Sequence, residues 1–274
     1  MPDAKIRYFD GDSGNMVKNK FAMDLSTGAW YYLDRNGVAL LGAQTIDGKT
    51  LYFDREGKQV KGRFVTDGAN RRYYDANSGE MARNKFAQVD GAWYYFDNNG
   101  NVVKGLQNIN GQLLYFDNEG RQVKGQYAGQ GNNRRYYDAN SGEMVRNKFA
   151  QIDGAWHYFN ANGQAVTGQQ YVNGQTLYFD NEGRQVKGRL VTEGQDTRYY
   201  DANSGEMAID KFVLIDGAWY YFDRSGKAVK GVQYINGQTL YFDNQGRQVK
   251  GRWETVNGRR VYFDANSGQA DRSL

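Results

Sequence analysis

The sequence predicts an all-β fold: a β-solenoid of about thirteen stacked β-hairpin repeats, each of about 21 residues, grouped in a 63-residue super-repeat. Trp30, Trp93, Trp156 and Trp219 recur every 63 residues. Short aromatic runs alternate with regularly placed glycines, of which there are 35. Runs this short, with a period closer to two than to 3.6, favour strands over helices. Aromatic residues make up 15% of the chain and supply apolar surface to bury.

The elementary repeat is marked by an aspartate that follows a pair of aromatic or apolar residues. Tyr always stands two residues before this anchor position, and Phe or Tyr stands one residue before it, except at Leu33. We therefore expect these preceding residues to pack the fold. The anchors are Asp10, Asp34, Asp54, Asp75, Asp97, Asp117, Asp138, Asn160, Asp180, Asp201, Asp223, Asp243 and Asp264.

Each repeat is interpreted as a β-hairpin. A short aromatic run leads into a turn such as DNNGN or DNEGR, where Gly permits positive φ, and a second short run such as VVKG or QVKG follows. One hairpin buries too little surface to be stable alone, so stability is expected to rise with the number of stacked repeats.

Composition excludes several functional classes. The chain has no Cys, which excludes disulfides and thiolate sites, and no apolar run long enough to span a membrane. Basic and acidic residues nearly balance, with a net charge of +4, so nucleic acid is not an expected partner. We expect residues 1–274 to form a single domain that is a fragment of a larger secreted protein.

No catalytic residue, metal site or cofactor is predicted. The anchor carboxylates recur, whereas a catalytic pair is normally unique, and we expect them to accept hydrogen bonds from turn amides. His157, the only His, is interpreted as a tolerated substitution at a half-exposed aromatic position. The turn that begins at Asp75 is similar to a calcium loop, but Phe86 stands where the bidentate Glu is required.

Recognition by aromatic surfaces remains as the expected function. In a strand, Trp93 and Tyr95 share one face, whereas Tyr94 and Phe96 share the other. Residues found once per 63, such as Trp93, Tyr94, Gln112 and Lys124, differ between repeat types and are candidate site residues. A sugar ring stacks its C–H face on an aromatic plane and offers hydroxyls to amide and ammonium groups.

The repeats GAWYYFDNNGNVVKG, INGQLLYFDNEGRQVKG and RRYYDANSGEMARNKFA strongly resemble the YG-type glucan-binding repeats of bacterial glucansucrases, and more distantly the choline-binding cell-wall repeats. The resemblance covers essentially the whole chain. It implies a non-catalytic, C-terminal region that binds α-glucans such as dextran or mutan. It also implies a sucrose-using catalytic domain in the same parent chain as a partner, and an extracellular location in the glucan matrix or at the cell wall.

The family's sugar pockets combine a stacking aromatic residue with Gln and Lys from neighbouring repeats. By this resemblance the sugar-binding residues are Trp93, Tyr94, Gln112, Tyr115, Lys124, Trp156, His157, Gln175, Tyr178, Lys187, Trp219, Tyr220, Gln238, Tyr241 and Lys250. The first copy departs from this pattern, because Lys49 stands at the Gln position.

Two alternatives stay open. Choline or teichoic-acid binding requires an aromatic cage for the quaternary ammonium, and the choline-type repeat has Trp directly after Thr-Gly. Here Leu106, Gln126 and Gln169 are among the residues at that position, so the cage is incomplete. A toxin-like region that binds host glycans uses similar hairpins, although the 63-residue triplet favours the glucansucrase reading.

Overall fold

A computed structural model describes residues 5–271. The chain divides into two compact units, Met1–Met144 and Val145–Leu274, which are described separately. In both units, every strand belongs to an antiparallel two-stranded hairpin. No helix in the described residues is long and apolar enough to cross a membrane.

The first unit contains six hairpins within its described residues. Its strands are β1 Lys20–Met23, β2 Trp30–Leu33, β3 Gly42–Ile46, β4 Lys49–Phe53, β5 Arg63–Asp67, β6 Asn70–Tyr74, β7 Lys85–Val89, β8 Ala92–Phe96, β9 Gly105–Ile109, β10 Gln112–Phe116, β11 Gln126–Ala128 and β12 Arg135–Tyr137. A 3₁₀ turn, Gly131–Asn133, connects the last two strands.

The second unit, as far as the structure describes it, also contains six hairpins. Its strands are β13 Lys148–Ile152, β14 Ala155–Phe159, β15 Gly168–Val172, β16 Gln175–Phe179, β17 Arg189–Glu193, β18 Asp196–Tyr200, β19 Lys211–Ile215, β20 Ala218–Phe222, β21 Gly231–Ile235, β22 Gln238–Phe242, β23 Arg252–Val256 and β24 Arg259–Phe263.

The predicted hairpins are present, but the prediction of which runs pair was wrong. The strands that pair along their whole length are joined by two-residue turns. For example, β7 pairs with β8 from Lys85–Phe96 to Val89–Ala92, and Asp90 and Gly91 form the turn between them. Both turn residues have positive φ, 49° and 79°, as a type I′ turn requires. The longer DNNGN segment after β8 is closed only by an isolated bridge from Phe96 to Val102.

Twelve of the thirteen predicted repeats contain a two-stranded ladder. At Asp10, the described residues form only the bridge between Phe9 and Met16. The anchors Asp34 to Asp264 each directly follow the second strand of a hairpin, as the sequence predicts for a residue at the entry to a turn.

The residue before each anchor from Asp34 to Asp264 lies in the core, whereas Phe9, before Asp10, is exposed. The core side chains are at most 2% exposed: Leu33, Phe53, Tyr74, Phe96, Phe116, Tyr137, Phe159, Phe179, Tyr200, Phe222, Phe242 and Phe263. They contact aromatic residues of the neighbouring hairpin, as Phe96 contacts Tyr73 with ring centroids 6.0 Å apart. The repeated aromatic residues therefore pack the fold, as predicted.

Backbone hydrogen bonds join successive hairpins within each unit. After most anchored turns, an N–H group donates to a carbonyl of the preceding hairpin, for example Met81 to Thr50 and Met207 to Thr176, both at 2.8 Å. Stacking therefore pairs backbone groups that the short ladders leave free. This arrangement is the β-solenoid that the sequence predicts, with hairpins as its repeats.

Candidate functional site

Four tryptophans, one per 63-residue repeat, are partly exposed at the start of the second strand of a hairpin. Their exposed fractions are 38% for Trp30, 41% for Trp93, 43% for Trp156 and 39% for Trp219. Side chains alternate between faces along a strand. In β20, Tyr220 and Phe222 point toward the core. Trp219 points to the opposite face, and its indole is therefore partly exposed.

The indole of Trp219 borders a surface groove of about 290 Å³. The lining residues come from hairpins β19–β20 and β21–β22, from the segment after the Asp243 turn and from the Asp264 turn: Phe212, Trp219, Gln238, Leu240, Gln248, Lys250 and Ser267. The groove thus combines a flat apolar surface with amide and ammonium groups. Gln238 and Lys250, two of the predicted sugar-binding residues, line this groove together with Trp219.

Hydrogen bonds fix the polar side of this groove. The Gln248 backbone N–H donates to the Trp219 carbonyl at 2.7 Å. The Gln248 side-chain amide donates to the Ser267 carbonyl at 3.0 Å, and Lys250 Nζ donates to the Asn266 carbonyl at 2.8 Å. Lys250 Nζ lies 5.7 Å from the indole centroid, so a positive charge is held at the edge of the stacking surface.

A matching groove of about 290 Å³ lies at Trp30 in the first unit. Lys49 takes the position of Gln238, while Gln59 and Lys61 repeat the positions of Gln248 and Lys250. Lys61 Nζ lies 5.9 Å from the Trp30 centroid and donates to the Asn77 carbonyl at 3.1 Å. The departure at Lys49 therefore leaves the groove in place.

The same hydrogen-bond frame recurs at Trp93 and Trp156. The backbone N–H of Gln122 donates to the Trp93 carbonyl, and that of Gln185 to the Trp156 carbonyl, both at 2.7 Å. The matching lysines donate to turn carbonyls: Lys124 to Asn140 at 2.9 Å and Lys187 to Asn203 at 2.8 Å. In the third copy, Gln175 also donates to Glu206 at 3.5 Å.

Tyr94, His157 and Tyr220 lie in the interior, on the strand face opposite the indoles. Each is at most 7% exposed, so the expectation of a half-exposed position for His157 was wrong. Tyr94 packs against Phe64, with ring centroids 5.1 Å apart, and Tyr220 against Phe222 at 6.2 Å. These side chains support the hairpins that carry the indoles, and Tyr220 does not line the groove at Trp219.

Tyr241 also does not line the groove at Trp219, and Tyr115 and Tyr178 hold the same position in their own hairpins. Gln238 and Leu240 share one face of β22 and line the groove, whereas Tyr241 points from the other face and packs against Phe263 at 5.7 Å. Tyr115 packs against Tyr137 in the same way, at 5.6 Å. Tyr178 packs against Tyr200 and donates to Glu193 at 3.0 Å.

The sequence analysis does not predict Gln59 and Gln248, which line the two grooves, or their counterparts Gln122 and Gln185. Each stands two residues before the groove lysine, in the repeated run QVKG. The sequence predicts this run as the second arm of a hairpin, and that interpretation gives its polar first residue no role in binding. The 63-residue spacing of these glutamines, together with their place beside the lysine, was the signal that could have identified them.

The anchor carboxylates act in the turns, as predicted. Asp75 accepts hydrogen bonds from the backbone amides of Asn77 and Ser78, at 3.0 and 2.8 Å. The bond from Ser78 is the main cause that lowers the pKa of Asp75. Asn160 accepts equivalent bonds at 3.0 Å without a charge. Within residues 5–271, no group of three or more His, Asp or Glu side chains is arranged to hold a metal ion.

Comparison with known families agrees with this repeated architecture. The choline-binding repeat matches residues 40–86, 103–149, 166–212 and 229–273, which together make up more than half of the chain. The chain belongs to the choline-binding repeat family. A putative cell wall binding repeat matches the adjoining segments, at residues 19–39, 84–102, 147–165 and 210–228. Repeats of this kind are binding modules, in agreement with the prediction of a non-catalytic region.

The choline-binding repeat region is homologous to parts of streptococcal glucosyltransferases. It is 43% identical over 269 residues to glucosyltransferase-S of Streptococcus mutans, covering 97% of this chain and 14% of that protein. It is 50% identical over 267 residues to glucosyltransferase-I of the same organism, covering 95% of this chain and 18% of that protein. The chain thus spans less than a fifth of the length of these relatives.

Among solved structures, the modular autolysin LytC from Streptococcus pneumoniae shares the fold. The TM-score is 0.50 at 23% identity, over 89% of this chain and 52% of that chain.

Proposed function

We propose that the choline-binding repeat region binds α-glucan polymers, such as dextran or mutan, through its indole grooves. The observation that carries this proposal is the groove at Trp219, where one exposed indole faces Gln238, Gln248 and Lys250. The indole offers a stacking surface for the C–H face of a glucose ring. The amide and ammonium groups offer hydrogen bonds to hydroxyls at the edge of the ring.

The position of Lys250 favours a neutral sugar over choline. A quaternary ammonium binds over aromatic faces because it is attracted to the ring quadrupole. In this groove a single indole is exposed and an ammonium group already lies 5.7 Å from its centroid. Like-charge repulsion therefore disfavours a second cation at the same face, whereas a neutral ring is unaffected. Choline or teichoic-acid binding is the second candidate, favoured by the family match.

The repetition of the frame at four tryptophans supports multivalent binding. A shallow groove with one stacking residue binds a sugar weakly, but a polymer carries the same ligand in many copies. Once one groove is occupied, binding at the next is intramolecular, which raises avidity by roughly two to four orders of magnitude where the spacing allows it.

We also propose that residues 1–274 are one glucan-binding region of a secreted glucosyltransferase. The support is the similarity to two streptococcal glucosyltransferases over nearly the whole chain. In this arrangement the catalytic domain of the parent chain is the partner. The repeats hold the growing glucan near it, outside the cell, in the glucan matrix or at the cell wall.

The proposal is tested by affinity electrophoresis in gels that contain dextran. Trp219→Ala combined with Lys250→Ala is expected to reduce retardation. Trp253→Ala is the matched control, because Trp253 is 49% exposed and does not line the groove. Equal retardation of wild type and the groove variant, with the control also unchanged, contradicts the assignment of the groove. Retardation only in gels with a choline-bearing polymer favours the second candidate.

A further inference from the structure

A second kind of groove in the first unit combines two arginines with asparagine side chains. It has a volume of about 540 Å³. It lies between hairpins β3–β4 and β5–β6 and the turns that begin at the anchors Asp75 and Asp97. Thr50, Asn70, Arg72, Arg83 and Asn101 are among its lining residues. It contains no exposed indole, so its chemistry differs from that of the grooves at Trp30 and Trp219.

Both arginines are available to an anion. Arg72 Nε donates to the Asn99 carbonyl at 3.3 Å, and the Arg83 guanidinium donates to the Thr50 hydroxyl. No carboxylate in the described part of the chain forms an ion pair with either of them. Both guanidinium groups act on the Tyr74 hydroxyl, which lies in the same groove. Burial raises the pKa of Tyr74, and the positive charges of Arg72 and Arg83 oppose that increase. Two positive charges therefore converge on one groove.

Asn101 adds a hydrogen-bond acceptor to this groove. Its Oδ1 atom is buried and has no hydrogen-bond partner. A buried acceptor without a donor is costly, and because Asn101 lines the groove, rotation of its side chain toward the groove would let a ligand hydroxyl satisfy it. The groove therefore offers guanidinium donors for an anion and an amide oxygen for a neighbouring hydroxyl.

The third 63-residue copy shows where an anion fits in this kind of groove. At the positions of Asn70, Arg72 and Asn101 it has Asp196, Arg198 and Lys227. The Asp196 carboxylate lies 3.3 Å from Arg198 Nη2 and 2.8 Å from Lys227 Nζ. In that copy the chain supplies its own anion to the basic groups. Ile209 replaces the second arginine, Arg83.

We propose that the groove at Arg72 and Arg83 binds an anionic polyol unit, that is, a phosphate or carboxylate group with a hydroxyl nearby. Guanidinium groups pair with both kinds of oxyanion through charge-assisted hydrogen bonds. The first copy has Asn70 in place of this carboxylate and Arg83 in place of Ile209, so an external anion takes the position that Asp196 occupies in the third copy. This site does not depend on glucan binding at the indole grooves.

The test is an NMR titration of the whole chain with inorganic phosphate, glycerol 1-phosphate and glucuronate, with amide shifts as the readout. Asn70→Asp imports the carboxylate of the third copy, and Arg83→Ile imports its apolar residue. Each is expected to weaken binding about tenfold or more, the loss expected for a charge-assisted hydrogen bond. Arg55→Ala is the control, because it removes an equal charge from an exposed turn outside the groove.

Thermal unfolding of each variant checks that it is folded. Saturable shifts with any of the three probes, lost in Asn70→Asp and Arg83→Ile but kept in Arg55→Ala, support the proposal. A response to the phosphates alone identifies a phosphate-bearing unit, and a response to glucuronate alone identifies an acidic sugar. No saturable shift with any probe, or shifts that persist in a folded Asn70→Asp variant, overturns the proposal.

Discussion

At the residue scale, the anchor aspartates hold the turns through hydrogen bonds to backbone amides. We predict that Asp75→Ala lowers the free energy of unfolding by about 1 kcal/mol, since it removes these acceptors, whereas Asp75→Asn has a smaller effect. Asn160 already shows that an amide oxygen can replace the carboxylate. Urea denaturation of the two variants checks this difference. Equal losses for both would mean that charge, rather than the acceptor, stabilises the turn.

The pH dependence of this contribution has a definite sign. The pKa of Asp75 is lowered in the folded state from its ordinary value of 3.8, chiefly by the amide of Ser78. Its charged form therefore stabilises the fold above the unfolded pKa, and this contribution is lost as pH falls through the folded pKa.

His157 gives a residue-scale prediction in a different pH range. Burial lowers its pKa below the ordinary value of 6.5, and its Nδ1 atom has no partner. The neutral ring contributes fully to the free energy of unfolding above pH 6.5. This contribution declines as pH falls from 6.5 toward the folded pKa, because the unfolded state binds the proton at a higher pH than the folded state. His157→Tyr, the residue found at 94 and 220, is expected to make stability less dependent on pH in this range. Denaturation at several pH values gives the free energy of unfolding of both proteins. If it depends on pH as steeply in His157→Tyr as in the wild type, this account is contradicted.

At the element scale, the two-residue turns determine the pairing of the hairpins. Gly91 has φ of 79° and open space where a Cβ would lie, so Gly91→Ala is expected to cost only the backbone term, about 1 kcal/mol. A Cβ at Gly120 would collide with Val102 Cγ1 of the preceding repeat. Gly120→Ala is therefore expected to cost more than Gly91→Ala. Chemical denaturation of both variants measures the difference, and equal costs would contradict the stacking contact.

The fold could be predicted from the sequence because the period and the aromatic runs are local signals. The predicted pairing of runs differs from the structure because the glycine-containing DNNGN segment also resembles a hairpin turn, whereas the type I′ turn lies at Asp90 and Gly91. The exposed face was not predictable from the run WYYF, since both faces are aromatic. Burial of Tyr94 beside an exposed Trp93 depends on Phe64 of the preceding hairpin, a contact absent from the local sequence.

At the scale of the whole molecule, binding is expected to depend on the number of indole grooves. Trp→Ala substitutions introduced one after another at positions 30, 93, 156 and 219 should reduce dextran retardation in steps, with a total loss of about two orders of magnitude or more in avidity. Affinity electrophoresis at several dextran concentrations gives the apparent dissociation constant of each variant. Complete loss at the first substitution would show that one groove accounts for binding.

The central claim is that the indole grooves recognise a neutral glucan. The most direct measurement compares the migration of the wild-type chain in gels containing dextran, a choline-bearing polymer or no polymer. The account predicts retardation by dextran alone. Retardation by the choline-bearing polymer alone, or by neither polymer, would contradict it.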